Sequence, residues 1–386
     1  MSYQLDKKQA ALQRQQLFQS ADRIVVKVGS AVLTNAHGIN REVIANLAKG
    51  ISRLRDLGKE VILVSSGAVA AGRKRLHLRD ATAINLMEKQ ALAAIGQSQL
   101  MQHYDEAFSL HDKIIGQVLL THSDFADRDR YLNVRNTILS LFRYNVVPII
   151  NENDTVSVEE LRFGDNDTLG AMICNLIEAD LFICLTDVEG LYTANPHTDP
   201  DARFVYTVEE VTEEIEAMAG NVKSLLGTGG MLSKIRAARM VAGGGGSSFI
   251  GPGKTESILE RLFDGEMLGT FFMPSEEKIQ SRKQWIAFVL RPKGFLKLDK
   301  GACTALCKGG KSLLPSGIVE VHGEFGTGDP VHCIDNGHVA VAAGLVNYSS
   351  RDLNIIKQCR SEQIFDLLGF KDCDEAIHRD NLVLLK

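Results

Sequence analysis

At 386 residues the chain exceeds the usual size of a single hydrophobic core, so two domains are expected. With 45% hydrophobic and 24% charged residues it has the composition of a soluble globular protein, and a net charge of −5 argues against a general nucleic-acid binder. No apolar run approaches the roughly 18 to 20 residues of a membrane span, and the first residues, Met-Ser-Tyr-Gln-Leu-Asp-Lys-Lys, lack the apolar stretch of a secretory signal; the expected location is the cytoplasm. Residues 1–20, with Leu5, Leu12 and Leu17 widely spaced, read as a helical extension without chemistry of its own. Ile24 to Val28 is then a buried strand running into Gly29-Ser30, and Lys27 inside it carries a charge that must be paired or used. Val43, Ile44, Leu47, Ile51 and Leu54 follow helical spacing up to Gly58. Val61 to Val64 forms the next strand, ending in the small-residue turn Ser65-Ser66-Gly67-Ala68, which suits a carboxylate or phosphate at a helix start.

Leu86 to Leu110 reads as a long helix, Lys113 to Leu120 as a strand and Tyr131 to Tyr144 as a helix. Val146-Val147-Pro148-Ile149-Ile150 is a buried strand that delivers the most unusual stretch of the chain, Asn151 to Asp167, with six acids and three asparagines. Such a cluster behind the carboxyl end of a core strand needs a cation among its members, and this is where α/β sheets bind ligands. Thr168 to Ile177 is helical, and Leu181 to Leu185 is a strand delivering Thr186-Asp187. Gly227-Thr228-Gly229-Gly230-Met231-Leu232-Ser233-Lys234 opens a further helix. Its order of residues differs from the common nucleotide P-loop, but its glycines admit phosphates to backbone N–H groups and its lysine supplies charge in the first turn. Ser247 to Ile250 and Met267 to Met273 are strands.

Strands alternating with helices over residues 24–273 predict an α/β domain with a mostly parallel central sheet and helices on both faces. Near residues 275–285 the texture changes to short strands broken by glycines, as in a small β-barrel. The expected divisions are an extension at 1–20, a catalytic domain at 21–275 and a β-barrel domain at 285–370. The seven cysteines have no paired two-residue spacing, and most read as small core residues. Two lysines on glycine elements, an acidic-amide cluster and a Thr-Asp strand end suit phosphoryl transfer. No histidine is placed as a base, which fits an acceptor that is already ionised at neutral pH, a carboxylate.

Six stretches resemble the glutamate 5-kinases of the amino-acid kinase family: Val26 to Ser30, Ser65 to Gly72, Asn151 to Asp154, Gly164 to Asp167, Thr186-Asp187 and Gly227 to Lys234. The tail is similar to the PUA domain that many members carry, with Gly326-Thr327-Gly328-Asp329-Pro330 as its turn. The resemblance implies the amino-acid kinase fold and transfer of the γ-phosphate of ATP to the side-chain carboxylate of L-glutamate, the first step of proline biosynthesis. It implies Lys27, Lys234 and Asp167 as catalytic residues, and Ser66, Asp154 and Asn166 as glutamate-binding. Lys27, Thr186, Asp187 and the run Thr228, Gly229, Gly230, Met231, Leu232, Ser233 and Lys234 would contact ATP, with Mg²⁺ on its phosphates. It also implies feedback inhibition by proline, a homo-oligomer and a functional partner in glutamyl phosphate reductase. Where the family commonly has aspartate before Pro196, this chain has Asn195, and the 20-residue extension lies outside the common pattern.

Acetylglutamate, aspartate, carbamate and UMP kinases share the lysine logic, but the paired Asn-Glu-Asn-Asp and Gly-Asp-Asn-Asp motifs and the tail favour free glutamate. An RNA-binding role through the tail is the rival from another class. From Trp285 onward there are 12 Lys+Arg against 12 Asp+Glu, and this neutral balance argues against it.

Overall fold

The computed structural model describes residues 2–35, 38–78, 84–156, 165–196, 198–219, 230–275 and 292–385. The chain divides into two compact units, Met1–Lys278 and Ile279–Lys386. Among the described residues no helix is long and apolar enough to cross a membrane.

The first unit opens with β1 (Tyr3–Gln4), α1 (Lys7–Ser20), β2 (Arg23–Val28), α2 (Ser30–Leu33) and the paired β3 (Thr34–Asn35) and β4 (Gly38–Ile39). There follow α3 (Arg41–Asp56), β5 (Glu60–Val64), α4 (Ala68–Arg75), α5 (Leu86–Ser109), β6 (Ile114–Leu120), α6 (His122–Ala126), α7 (Arg128–Arg143) and β7 (Val146–Glu152). The unit closes with α8 (Asn166–Ile177), β8 (Leu181–Thr186), β9 (Thr207–Val208), α9 (Glu213–Met218), α10 (Met231–Gly243), β10 (Ser247–Pro252), α11 (Ile258–Phe263) and β11 (Thr270–Phe272).

These strands form one nine-stranded sheet in the order β1-β9-β11-β10-β8-β2-β5-β7-β6. The stretch from β10 to β6 is parallel throughout, whereas β11 runs antiparallel to β10 and β1 antiparallel to β9. Parallel strands are covered on both faces, which is why β8 is a continuous apolar run up to Thr186 and β2 is apolar apart from Arg23 and Lys27. Ile24, Val26, Leu63, Ile149 and Ile183 pack against Ile44, Leu47 and Ile51 of α3 in one core. Asn40 starts α3 by accepting a hydrogen bond from the Val43 N–H. The chain leaves β2 toward β5 and returns on the other side of β2 as β8. That reversal opens a crevice at the carboxyl ends of the strands.

The N-terminal segment is woven into this unit rather than appended to it. Its buried face is Ala10, Arg14 and Phe18, spaced by one helical turn, while Leu12 is exposed. The buried stripe is thus not a leucine one, and its central residue is an arginine. The Arg14 guanidinium donates to the carbonyls of Leu268 (2.5 Å) and Gly269 (3.3 Å) and lies against the rings of Phe249 and Phe271. Burial pushes its pKa down to about 10, and the two carbonyls supply what water no longer can.

Helices α4 and α5 touch backbone to backbone. A Cβ at Gly96 would fall 1.8 Å from Ala68 O, and one at Gly72 would fall 2.0 Å from Leu92 O. Neither neighbour is a side chain that can swing away. We expect Gly96→Ala to destabilise the protein by about 1–3 kcal/mol or more. A denaturant midpoint equal to that of the wild type would show that the helices do not meet there.

The second unit carries a five-stranded sheet of β12 (Gly294–Leu298), β13 (Ile318–Gly323), β14 (Pro330–Ile334), β15 (Ala340–Leu345) and β16 (Leu382–Leu384), in the order β13-β12-β14-β15-β16. It has its own core, in which Leu296, Leu298, Ile318, Val331 and Tyr348 are buried.

Candidate active site

The crevice is lined by strand ends that carry polar residues immediately after apolar runs. Lys27 is the second-to-last residue of β2, Ser65 and Ser66 follow β5, Asn151 and Glu152 end β7, and Thr186 ends β8. Helix α8 starts in the same place, capped by the Asp165 carboxylate, which accepts from the Thr168 N–H at 2.9 Å. Its first two residues, Asn166 and Asp167, serve two different clusters. Helix α10 begins at Met231 and brings Lys234 in on its first turn.

The first cluster is built on Asp167, which is 1% exposed. Its Oδ1 is in direct ion-pair contact with Lys27 Nζ, and its Oδ2 lies 3.1 Å from Lys234 Nζ. The Ser233 hydroxyl lies 2.9 Å from Oδ2 and 2.8 Å from Gly230 O, and the Cys184 thiol donates to Oδ1 at 3.4 Å. Burial by itself would raise the Asp167 carboxyl, but the ammonium groups of Lys27 and Lys234 override it and hold the group well below the carboxylate range. Burial would likewise lower Lys27, and Asp167 overrides that, holding its ammonium above the ordinary lysine value. Cys184 is pushed up to about 12, by burial first and then by the Asp167 charge, so it sits there as a neutral thiol. Two buried ammonium groups thus share one buried carboxylate, with the Asp165 charge also acting on Lys27, and Lys234 sits in the first turn of α10, whose N-terminus favours an anion.

The second cluster is a set of amides. Asn166 Nδ2 lies 2.8 Å from Ser65 O, 2.9 Å from Ser66 Oγ and 2.9 Å from Asn151 Oδ1. Asn151 Nδ2 donates to Gln97 Oε1 at 2.8 Å, and Tyr104 OH meets Ser65 Oγ at 2.9 Å. Gly67, in the left-handed region at φ 92°, turns the chain out of Ser66 into α4.

Of the residues singled out in the sequence, Lys27, Asp167, Ser233 and Lys234 meet in the first cluster, and Ser66 and Asn166 meet in the second. Asp154 stands just beyond the end of β7, and Thr186 donates its hydroxyl proton to Asp187 at 3.1 Å at the end of β8. Gly230, Met231 and Leu232 are half-buried at the start of α10. Thr228 and Gly229 lie outside the described residues, as does the 157–164 part of the acidic stretch. In the sequence Asn151 stands out only as part of its motif, and Gln97 and Cys184 do not stand out as site residues. Gln97 had a signal: it is a glutamine on the buried stripe of α5, between Leu92 and Leu100. Cys184 had none, because a thiol on a core strand looks the same whatever it faces.

Residues 22–251 match the amino acid kinase family, and residues 294–368 match the PUA domain. A glutamate 5-kinase of Desulfotalea psychrophila is 59% identical over 96% of this chain and 99% of its own. The glutamate 5-kinases of Syntrophus aciditrophicus and Caldanaerobacter subterraneus are each 48% identical, over 97% and 94% of this chain and 97% and 98% of theirs. The chain belongs to the amino acid kinase family and, within it, to the glutamate 5-kinases.

Proposed function

We propose that this chain transfers the γ-phosphoryl group of ATP to the side-chain carboxylate of L-glutamate, giving L-glutamyl 5-phosphate for proline biosynthesis. The observation that carries the reading is the buried Lys27–Asp167–Lys234 centre, two ammonium groups converging on one carboxylate, in a chain with such close glutamate 5-kinase relatives. Phosphoryl transfer asks a protein mainly to align its reactants and to balance charge on the equatorial oxygens. Lys27 and Lys234 would meet those oxygens from two sides while Asp167 keeps the two ammonium groups from repelling one another. The acceptor carboxylate is ionised near pH 7 and requires no base. Asn166, Ser66 and Asp154 would hold the amino-acid end: the α-ammonium needs acceptors and an anion, and the α-carboxylate needs donors. Thr186, Asp187 and residues 228–234 would hold the nucleotide.

Mg²⁺ would enter on the phosphates of ATP, neutralising their charge. The product is an acyl phosphate, a reactive species, and a glutamyl phosphate reductase is the partner that would consume it. A homo-oligomer is the assembly the family resemblance supports.

With Mg·ATP and hydroxylamine to trap the acyl phosphate, L-glutamate should give hydroxamate, whereas N-acetylglutamate and aspartate should give little. Acetylation removes the ammonium and strands the groups that receive it, typically at several kcal/mol. Faster turnover of the acetylated acid would overturn the substrate assignment. Proline presents the same ammonium and carboxylate as the α-end of glutamate. We expect it to raise the apparent KM for glutamate while leaving kcat unchanged, and a flat response up to millimolar proline would reject this.

A further inference from the structure

The amide cluster has a fixed polarity, and its anchors are backbone groups that cannot be turned round. Ser65 O is an acceptor only, so the atom of Asn166 that faces it at 2.8 Å must be Nδ2, and Asn166 Oδ1 faces away from the cluster. The Glu152 N–H is a donor only, so the Asn151 atom that receives it at 2.9 Å must be Oδ1. Asn151 is 2% exposed, and its Nδ2 therefore points into the protein, where it needs an acceptor. That acceptor is Oε1 of Gln97, 2.8 Å away on α5 and 54 residues earlier in the chain.

Gln97 is an odd choice for a buried stripe. It is 9% exposed, and its own Nε2 is buried with no hydrogen-bond acceptor among the described residues. An unsatisfied buried N–H costs stability, and a methionine would fill the same space without that cost. Its use therefore lies in its oxygen. The residue before it, Gly96, sits in backbone contact with Ala68, in the first turn of the helix that follows Ser66. The position of Gln97 relative to the Ser66 turn is thereby fixed by main chain on both sides.

We propose that Gln97 is a positioning residue that holds Asn151, and through it Asn166, in place in the glutamate pocket. The inference rests on the reading of Asn166 and Ser66 as glutamate-binding. With Asn151 Nδ2 satisfied by Gln97, Asn151 Oδ1 stays on Asn166 Nδ2. Asn166 Oδ1 is then held outward as an acceptor for the α-ammonium. Ser66 Oγ lies 2.9 Å from the same Nδ2, at the start of α4. Without the Gln97 acceptor the buried Asn151 N–H loses its partner, and Asn151 shifts at the expense of its contact with Asn166.

The test uses the full chain with Gln97→Met, Gln97→Asn and Gln97→Glu. Met removes the acceptor at similar volume. Asn keeps the amide but is one methylene too short to reach, and it replaces the Met variant should that one fail to fold. Glu offers an acceptor to Asn151 in either protonation state. Met and Asn are expected to raise the KM for glutamate about tenfold, with the KM for ATP within about twofold of wild type, and Glu is expected to recover most of that loss. Competitive inhibition by glutarate, which has no α-ammonium, should change by less than about twofold. A purely structural role would move the glutamate, ATP and glutarate constants together. That pattern, an unchanged KM for glutamate in the Met and Asn variants, or a Glu variant as weak as Met would each overturn the proposal. Asn166→Ala, measured alongside, separates the two layers. If it leaves the KM for glutamate intact, the pocket reading itself fails; if it raises the KM while Gln97→Met does not, only the role of Gln97 fails.

Discussion

Lys27→Met and Lys234→Met should each lower turnover by roughly 100-fold or more while leaving the protein folded. The rate effect follows from removing one of two charges that meet the transferring phosphoryl group, where a single lost electrostatic partner typically costs about two to three orders of magnitude. The tolerance of the fold follows from the partners that remain: either variant leaves Asp167 paired with the other lysine and in contact with Ser233 and Cys184. Methionine matches the length of the lysine stem and suits the apolar walls, such as Gly170, whose added Cβ would lie 3.5 Å from Lys27 Cβ. Single-turnover rates and thermal melts of the two variants check both halves. Loss of stability without loss of chemistry would mean that the lysines serve the fold alone.

Asp167→Ala is expected to do the opposite to the fold. It leaves the Lys27 and Lys234 ammonium groups buried near each other without their shared anion, and breaking a buried pair by deleting one partner costs on the order of 3–5 kcal/mol. Activity should fall with it, since the two lysines would repel rather than converge. Added sulfate or phosphate should raise the melting temperature of this variant more than that of the wild type, by supplying an anion to the same place. The pH dependence has a definite sign. The carboxyl of Asp167 is depressed in the folded state, so its stabilisation is complete above the unfolded value near 3.9 and is lost as pH falls through the folded value. Lys27 is raised, so its share is complete below about 10.4 and is lost as pH rises through the folded value. Asp167→Ala should lose that acid limb of the stability curve. A wild-type denaturation midpoint for Asp167→Ala would show that the carboxylate does not pair the two lysines.

Much of this protein was legible before any coordinates. Continuous apolar runs such as Leu181 to Leu185, short and bounded by polar residues, fit strands covered on both faces. Helical spacing from Val43 to Leu54 marks the helix between two of them, and together these specify a parallel α/β sheet. A lysine within such a run, at position 27, and aspartate 167 behind an asparagine-rich loop are so costly to bury that their presence signals a site. Local chemistry was therefore readable wherever a residue contradicted its own surroundings. Arg14 was hidden for the converse reason, since a polar residue on an exposed helix face and one on a buried face look alike until the partner element is in place. Only the tertiary structure brought Lys27, Asp167 and Lys234 within ion-pair distance across 207 positions of sequence, and only it joined Gln97 to Asn151. Burial and hydrogen-bond polarity belong to pairs of groups rather than to single residues, and the pairing is decided by which strands and helices come to lie side by side.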